Sequence, residues 1–193
     1  LIIGRREGVG ELSALSMLIS QRGATFFTDT YVTLDPSARE IAEMTVLAAE
    51  EIRRFGLTPR AALLSHSNFG SRDSKSSLKM REAAVILHEI APQLDADGEM
   101  HGDSALSATL RQRAYPHSSL KDEANLLVFP SLDAANIALT TIKAMTDALH
   151  VGPILLGTAR PAHILTPSVT SRGVVNMTAL AIVEASSKAE AAA

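Results

Sequence analysis

Residues 60–71, with the sequence RAALLSHSNFGS, decide the predicted fold. The apolar run 61–64 ends in a polar loop that contains a glycine, and an amphipathic pattern follows over residues 74–90. This order predicts a strand, a loop and a helix. In an open α/β sheet, ligands bind beyond the carboxyl ends of the strands, and a loop leading into a helix can offer backbone N–H groups to an anion such as phosphate. The serines of this loop could equally serve only to cap the helix.

The flanking sequence continues the alternation of strands and helices. Predicted strands cover residues 12–19, 24–32, 60–64, 94–97, 124–129, 151–156 and 162–165, and predicted helices cover 36–55, 74–90, 104–113, 133–149 and 173–185. Asp35 is the predicted N-cap of the first helix. This order predicts a three-layer α/β/α domain with a mostly parallel sheet and an antiparallel edge formed by the first two strands. The loops 65–71, 98–103, 130–133 and 157–161 are then expected at one end of the sheet.

The composition is that of a globular protein. Hydrophobic residues make up 46% of the chain and charged residues 20%, which indicates a buried core rather than disorder. The net charge of −3 gives no electrostatic footprint for nucleic acid, and no apolar run has the length of a membrane span. The chain has no cysteine, which excludes disulfides and cysteine-bound metals and fits a cytoplasmic location.

Four motifs carry a resemblance to a known family. They are LSHSNFGS at 64–71, DGEMHGD at 97–103, ANLLVFP at 124–130 with NIA at 136–138, and GPILLG at 152–157 with Pro161. In this order and spacing they resemble the phosphate acetyltransferase (phosphotransacetylase) family over about residues 24–185. The resemblance implies the isocitrate/isopropylmalate dehydrogenase-like fold of that family.

Within that family, the motifs and the segment HILTPS at 163–168 look most like the C-terminal domain of the large bacterial NADP-dependent malic enzymes. The start at Leu1 without a methionine is expected for the interior of such a hybrid chain. The resemblance implies two lobes, with residues 1–162 in the second lobe, 163–186 returning to a first lobe that is mostly absent, and 187–193 as a tail. NADP and Mg²⁺ or Mn²⁺ would then bind to the malic enzyme part. Four apolar residues of the last helix are expected to seek a partner, in a homodimer or against the rest of the chain: Val174, Val175, Leu180 and Val183.

The same resemblance disfavours catalysis. Active phosphotransacetylases resemble one another in a Ser-Arg-Gly-Cys-Ser stretch followed by Asp. The positions that match its serine, arginine, glycine, cysteine and aspartate are Thr166, Pro167, Ser168, Val169 and Gly173, so the guanidinium and the carboxylate are absent. The reaction needs a base for the thiol of coenzyme A and positive groups for phosphate. Arg172 lies nearby, but a neighbouring arginine at a different angle does not replace a bidentate one. Transferase activity is therefore expected to be lost.

The resulting hypothesis is a regulatory and oligomerisation domain of a malic enzyme that binds acetyl-CoA as an allosteric effector. The expected ligand-binding residues are Ser65, His66, Ser67, Asn68, Gly70, Ser71, Gly157, Thr158, Arg160 and Thr166, with Pro167 beside them. One alternative is an active phosphate acetyltransferase that uses Ser65, Ser67, Thr166 and Arg160 or Arg172. The other is a purely structural dimerisation module, which retention of the complete 65–71 loop argues against.

Several other polar residues allow two interpretations. His101 and Asp103 lack an obvious third metal ligand, so a loop role is favoured and no metal is expected in this segment. His66 could donate to a phosphate or be structural, and Asp29 could bind the 65–71 loop or cap its own strand end. The arginines at 111–113 are expected on a solvated helix face.

Overall fold

The computed structural model describes residues 2–167 and 169–190. Within these residues the chain forms one mixed sheet with helices on both of its faces. The strands are β1 (Ser13–Ser20), β2 (Gly23–Thr28), β3 (Arg60–Leu64), β4 (Asp95–Met100), β5 (Leu126–Val128) and β6 (Leu149–Leu156). The helices are α1 (Ala38–Arg54), α2 (Lys75–Ile90), α3 (Gly102–Ala105), α4 (Ala108–Ala114), α5 (Leu132–Met145) and α6 (Ser171–Glu190).

The sheet has the order β4-β3-β5-β2-β1-β6 and confirms the predicted fold class. β4, β3, β5 and β2 pair in parallel, and β1 is antiparallel to both β2 and β6. The antiparallel strand β1 therefore lies one position inside the edge, which is formed by β6. Because β6 runs in the same direction as the parallel strands, the segments after β2, β3, β4, β5 and β6 all leave the same end of the sheet. This end carries the residues predicted to bind a ligand.

Two apolar clusters fill the space between the sheet and its helix layers. Neighbouring residues of the same strand point to opposite faces, so that Phe26 belongs to one cluster and Phe27 to the other. The first cluster packs under α1 and α2 and includes Met177 of α6, and the second includes Leu139 of α5 and Ala105 of α3. This division of the core confirms the predicted three-layer α/β/α architecture.

The start of α1 differs from the sequence-based prediction. Ser37, and not Asp35, is the N-cap: its hydroxyl accepts from the Glu40 amide at 3.3 Å, and the Glu40 carboxylate accepts from the Ser37 amide at 2.7 Å. This reciprocal capping box satisfies two otherwise unpaired helix donors. Asp35 instead forms an ion pair with Lys79. The N-cap of α2 is Ser74, which was predicted as the first residue of the helix.

Other element boundaries also differ. β2 ends at Thr28, and β4 continues through Met100, so half of the predicted 98–103 loop is strand, and residues 102 and 103 begin α3. The predicted helix 104–113 is divided into α3 and α4, with Ser107 as the N-cap of α4. α5 ends at Met145, and residues 162–165 form no strand. α6 continues to Glu190, so the first part of the predicted tail is helical, and 191–193 lie outside the described residues.

The outer surface of α6 is partly as expected. Val174, Val175 and Val183 are exposed, whereas Leu180 packs against the core next to Met177. The expectation of an exposed Leu180 was therefore wrong, because α6 lies on the sheet through this side chain. The two-lobe division at residue 162 stays a prediction.

Candidate functional site

The 65–71 loop connects β3 to α2 and surrounds one buried carboxylate, that of Glu99 on β4. Ser67 Oγ donates to Glu99 Oε1 at 2.7 Å, and the Gly70 amide donates to the same oxygen at 2.9 Å. Arg81 of α2 adds Nη2 to Oε1 and Nε to Oε2, both at 3.1 Å. Ser67 is 0% and Glu99 1% exposed. The loop thus forms an anion site, and the anion is a side chain of the same protein.

The other donors of the loop are also used internally. The Ser65 amide donates to the Met100 carbonyl at 2.9 Å and the Phe69 amide to the Glu99 carbonyl at 2.8 Å. The Asn68 amide donates to Ser71 Oγ at 2.9 Å. In this conformation the amides of residues 65 and 67–71 are engaged within the protein, and ligand binding by this loop stays a prediction.

The electrostatics of Glu99 follow from these contacts. Burial alone would raise the pKa of its carboxyl, but the hydrogen bonds from Arg81, Ser67 and the Gly70 amide outweigh burial and lower the pKa to about 2. Glu99 is therefore ionised at neutral pH. It is a charge that holds the loop in place rather than a general base.

Two backbone features allow the close approach of β3, β4 and the loop. Gly98 has φ +152°, and a Cβ there would lie 2.7 Å from the Leu63 carbonyl oxygen. Phe69 has φ +50°, and its ring stacks on Tyr115 with 4.3 Å between the ring centroids. Left-handed conformations at residues other than glycine are uncommon. The stacked ring and the Phe69 hydrogen bond to β4 stabilise this turn.

The histidines of this region have structural partners. His101 Nε2 donates to the His66 carbonyl at 2.9 Å, and the His101 amide donates to Asn68 Oδ1 at 3.2 Å. The Asp103 carboxylate accepts from the Ser104 amide at 2.7 Å, and the His66 residue is exposed. No group of three or more potential metal ligands occurs among residues 2–167 and 169–190.

Asp29 caps the strand end from which it comes. Its carboxylate accepts from the amides of Ala14, Tyr31, Val32 and Thr33 at 2.8–3.1 Å. Of the two interpretations of Asp29, the structure supports the cap.

The residues after β6 lie apart from the 65–71 loop. The Gly157 carbonyl accepts from the Arg6 amide at 2.8 Å, and Thr158, which is 7% exposed, pairs with Arg5 in an isolated bridge. Arg160 is exposed. Gly157 and Thr158 thus pack against the N-terminal segment of the chain.

Thr166 lies in a third place, the wall of a cavity of about 450 Å³ between β6, α5 and the start of α6. Val169 and Gly173 line the same cavity, so three positions of the degenerate transferase motif meet there. Arg172 is the second residue of α6 and is not among the lining residues. The cavity falls in the size range of small-molecule sites.

Apart from Thr166, the polar groups of this cavity were not among the predicted ligand-binding residues. They are supplied by Ser16, Tyr31, Asn136, Thr140, Lys143, His150, Thr166, Thr170 and Asn176. Among the described lining residues there is no aspartate, glutamate or arginine. Burial lowers the pKa of His150, and the charge of Lys143 lowers it further, so His150 is neutral at neutral pH.

The predicted site residues therefore occupy three places rather than one. Arg81, Lys143 and His150 were missed because each stands alone in an ordinary helical or strand pattern, where a charged residue normally faces solvent. Arg111 was misassigned: it is 1% exposed and donates to the carbonyls of Ser104, Leu120 and Asp122 at 2.8–3.1 Å. Only the folded chain shows these contacts.

The fold and the sequence relate this chain to phosphotransacetylases. It superposes on a phosphotransacetylase from Streptococcus pyogenes with a TM-score of 0.87 and 29% identity, over 98% of this chain and 57% of that one. The family model for phosphate acetyl/butaryl transferase matches residues 1–182. The chain therefore belongs to the phosphate acetyl/butaryl transferase family, as the four motifs predicted.

The relatives with high identity are malic enzymes. The chain is 72% identical to the NAD-dependent malic enzyme of Rhizobium meliloti over 96% of its own length, and 50% identical to the NADP-dependent malic enzyme of Escherichia coli over 95%. It spans about a quarter of these relatives, 24% of each. It is thus similar to the phosphotransacetylase-like part of malic enzymes. No helix in the described part of the chain is both long and apolar enough to cross a membrane.

Proposed function

We propose that this chain is the phosphotransacetylase-like regulatory and oligomerisation domain of a malic enzyme, that it binds acetyl-CoA as an allosteric effector, and that it has lost acetyl transfer. The parent enzyme would oxidise malate and release pyruvate and CO₂ in the cytoplasm, as a homodimer or larger assembly. NAD or NADP and Mg²⁺ or Mn²⁺ would bind outside this segment, and the relatives include both nucleotide types.

The observation that carries the proposal is the composition of the 450 Å³ cavity. It contains three positions of the degenerate motif, Thr166, Val169 and Gly173, has room for an acyl group and part of the pantetheine chain, and supplies hydroxyl, amide and cationic groups. Acetyl transfer to or from phosphate needs a thiol base and bidentate positive groups. Pro167 and Gly173 provide neither a guanidinium nor a carboxylate, so binding without transfer fits these residues.

The direct test is calorimetric titration of the full-length malic enzyme with acetyl-CoA, with coenzyme A and acetyl phosphate for comparison. Transferase activity and malate oxidation are measured in parallel. The expected result is saturable acetyl-CoA binding that changes malate oxidation and produces no acetyl phosphate. Acetyl phosphate formation would restore the transferase interpretation.

Lys143 provides a matched pair of variants. It is the charged side chain among the described lining residues, so Lys143→Met should weaken binding of acetyl-CoA about tenfold or more, the scale of a lost charge-assisted hydrogen bond. Lys121→Met, at an exposed position outside this cavity, is the control. Equal affinities of the two variants would place the effector elsewhere.

One observation favours a second candidate, the purely structural dimerisation module. Retention of the 65–71 loop argued against it, but Ser67 and Gly70 are explained by their bonds to Glu99 without any ligand. Absence of both binding and turnover in the full-length enzyme, together with a dimer that dissociates when this domain is deleted, would support this candidate.

A further inference from the structure

A buried polar cluster lies beside the cavity, between the segment that begins at residue 163 and α6. His163 immediately precedes Ile164, Leu165 and Thr166, which line the cavity, and its side chain is only 4% exposed. It faces Glu184 of α6, whose side chain is 6% exposed. Further lining residues, including Gly173 and Met177, also belong to α6. The cluster therefore joins the two elements that close this side of the cavity.

The contacts of the cluster tie α6 to α1. Arg54 Nη1 lies 2.7 Å from Glu51 Oε2 and 3.8 Å from Glu184 Oε1, and the Glu51 side chain is 3% exposed. His163 Nε2 lies 3.7 Å from Glu184 Oε1, which is too long for a hydrogen bond. Both ring nitrogens of His163 are buried without a hydrogen-bond partner. Buried polar groups without a hydrogen-bond partner are rare, and they raise the free energy of the arrangement in which α6 covers the cavity, here called the closed state.

The charges around His163 come from two helices. α1 contributes Glu51 and Arg54, and α6 contributes Glu184. The nearby pair of Arg6 and Glu50, 2.8 Å apart, is neutral as a unit. With His163 neutral, the described side chains of the central cluster are two carboxylates and one guanidinium.

Burial gives His163 and Glu51 opposite responses to pH. Burial lowers the pKa of His163, and the nearby Glu51 charge opposes this only in part. Below the ordinary histidine pKa of 6.5, an opened state can bind a proton at His163 that the closed state still excludes. The free energy of opening therefore decreases as pH falls, until the lowered pKa of the closed state is reached. Burial also raises the pKa of Glu51, against the attraction of Arg54, and Glu51 therefore favours closure as pH falls toward its ordinary value.

We propose that His163 is a proton-operated latch: its buried neutral imidazole permits residues 164–167 and α6 to stay closed over the cavity near neutral pH, and protonation of the imidazole releases them. Because the released elements carry cavity-lining residues, ligand occupancy and proton uptake at His163 are thermodynamically linked. The latch regulates the site of the proposed function. Its existence depends only on the cluster, whereas its role in effector binding rests on that function.

Hydrogen exchange of α6 in the full-length enzyme tests the latch. Between about pH 7.5 and about pH 5.5, exchange corrected for its intrinsic pH dependence should become faster, by at most about tenfold for each pH unit for one proton. His163→Gln should remove this dependence, and His88→Gln, on the exposed surface of α2, should leave it intact. Constant protection in the unmodified enzyme, or an unchanged dependence in His163→Gln, would overturn the latch.

A second variant keeps the test decisive if His163→Gln does not fold. Glu51→Gln removes the opposing carboxylate, so the acceleration of exchange on acidification should become steeper, and a flat response would contradict the proposal. Acetyl-CoA titrations over the same pH range separate the two proposals. Exchange that responds to pH without any acetyl-CoA binding would retain the latch and refute the proposed effector.

Discussion

Ser67 Oγ lies 2.7 Å from Glu99 Oε1, and through this bond the loop that resembles a phosphate cradle is closed around a carboxylate of its own chain. Arg81 completes the site on both carboxylate oxygens. The Ser-rich sequence is thus explained by an internal anion. Any external ligand of this loop would have to compete with Glu99.

Replacing Glu99 should strongly destabilise the fold. Glu99→Gln leaves Arg81 without its buried counterion and converts one acceptor into a donor that faces the Gly70 amide or Ser67. Because Arg81 is partly exposed and also pairs with Asp73, we expect a loss of about 1 to 3 kcal/mol, the cost of leaving buried hydrogen-bonding groups unsatisfied. Urea unfolding followed by circular dichroism measures the loss, and Glu82→Gln on the exposed side of α2 is the control. A loss as small as that of the control would show that the cluster contributes little.

The stability should also depend on pH through Glu99. Its pKa is about 2 in the fold against 4.5 ordinarily, so the stabilisation is present above the ordinary value and is lost as pH falls from about 5 toward 2. The difference in pKa corresponds to about 3 kcal/mol. Urea midpoints measured across this range should fall with acid, and Glu99→Gln should flatten that dependence. An equally steep decline in the variant would assign it to other carboxylates.

Much of the fold could be predicted from the sequence because hydrophobic periodicity is local. The β3-loop-α2 unit was placed to within one residue, since an apolar run, a serine N-cap and a helical pattern occur in direct succession. The start of α1 was missed by two residues because Asp35-Pro36 and Ser37 both fit an N-cap pattern, and the reciprocal bond with Glu40 decides between them. The position of β1 inside the edge depends on pairing with β6, more than 120 residues later.

The site was less predictable because its contacts are distant in sequence. The loop was recognised, but its partner Glu99 lies 32 residues from Ser67 and comes from a segment that was predicted to be a loop. The cavity around Thr166 depends on α5, β1 and β6 together, and neither Lys143 nor His150 belongs to a motif. Ligand binding by the ten predicted residues stays a prediction.

Arg111 should be essential for the region between β4 and β5. It donates to three carbonyls, those of Ser104, Leu120 and Asp122, although its sequence neighbourhood is as polar as that of Arg113. Arg111→Met would leave these acceptors without donors, at a cost of about 3 kcal/mol. Arg113→Met on the exposed side of the same helix is the matched control. Equal urea midpoints for the two variants would contradict this assignment.

Gly98 should tolerate no side chain. A Cβ at this position would lie 2.7 Å from the Leu63 carbonyl oxygen and 2.8 Å from Leu63 Cβ, and φ is +152°. Because β3 and β4 are hydrogen-bonded on either side of this contact, the strands can separate only by weakening the ladder that positions Glu99. Gly98→Ala is expected to cost about 2 to 4 kcal/mol. Gly102→Ala, where an added Cβ meets no atom within 4 Å, should be nearly neutral. Thermal unfolding of both variants measures the difference, and a Gly98→Ala protein as stable as Gly102→Ala would show that β4 can move away from β3 without cost.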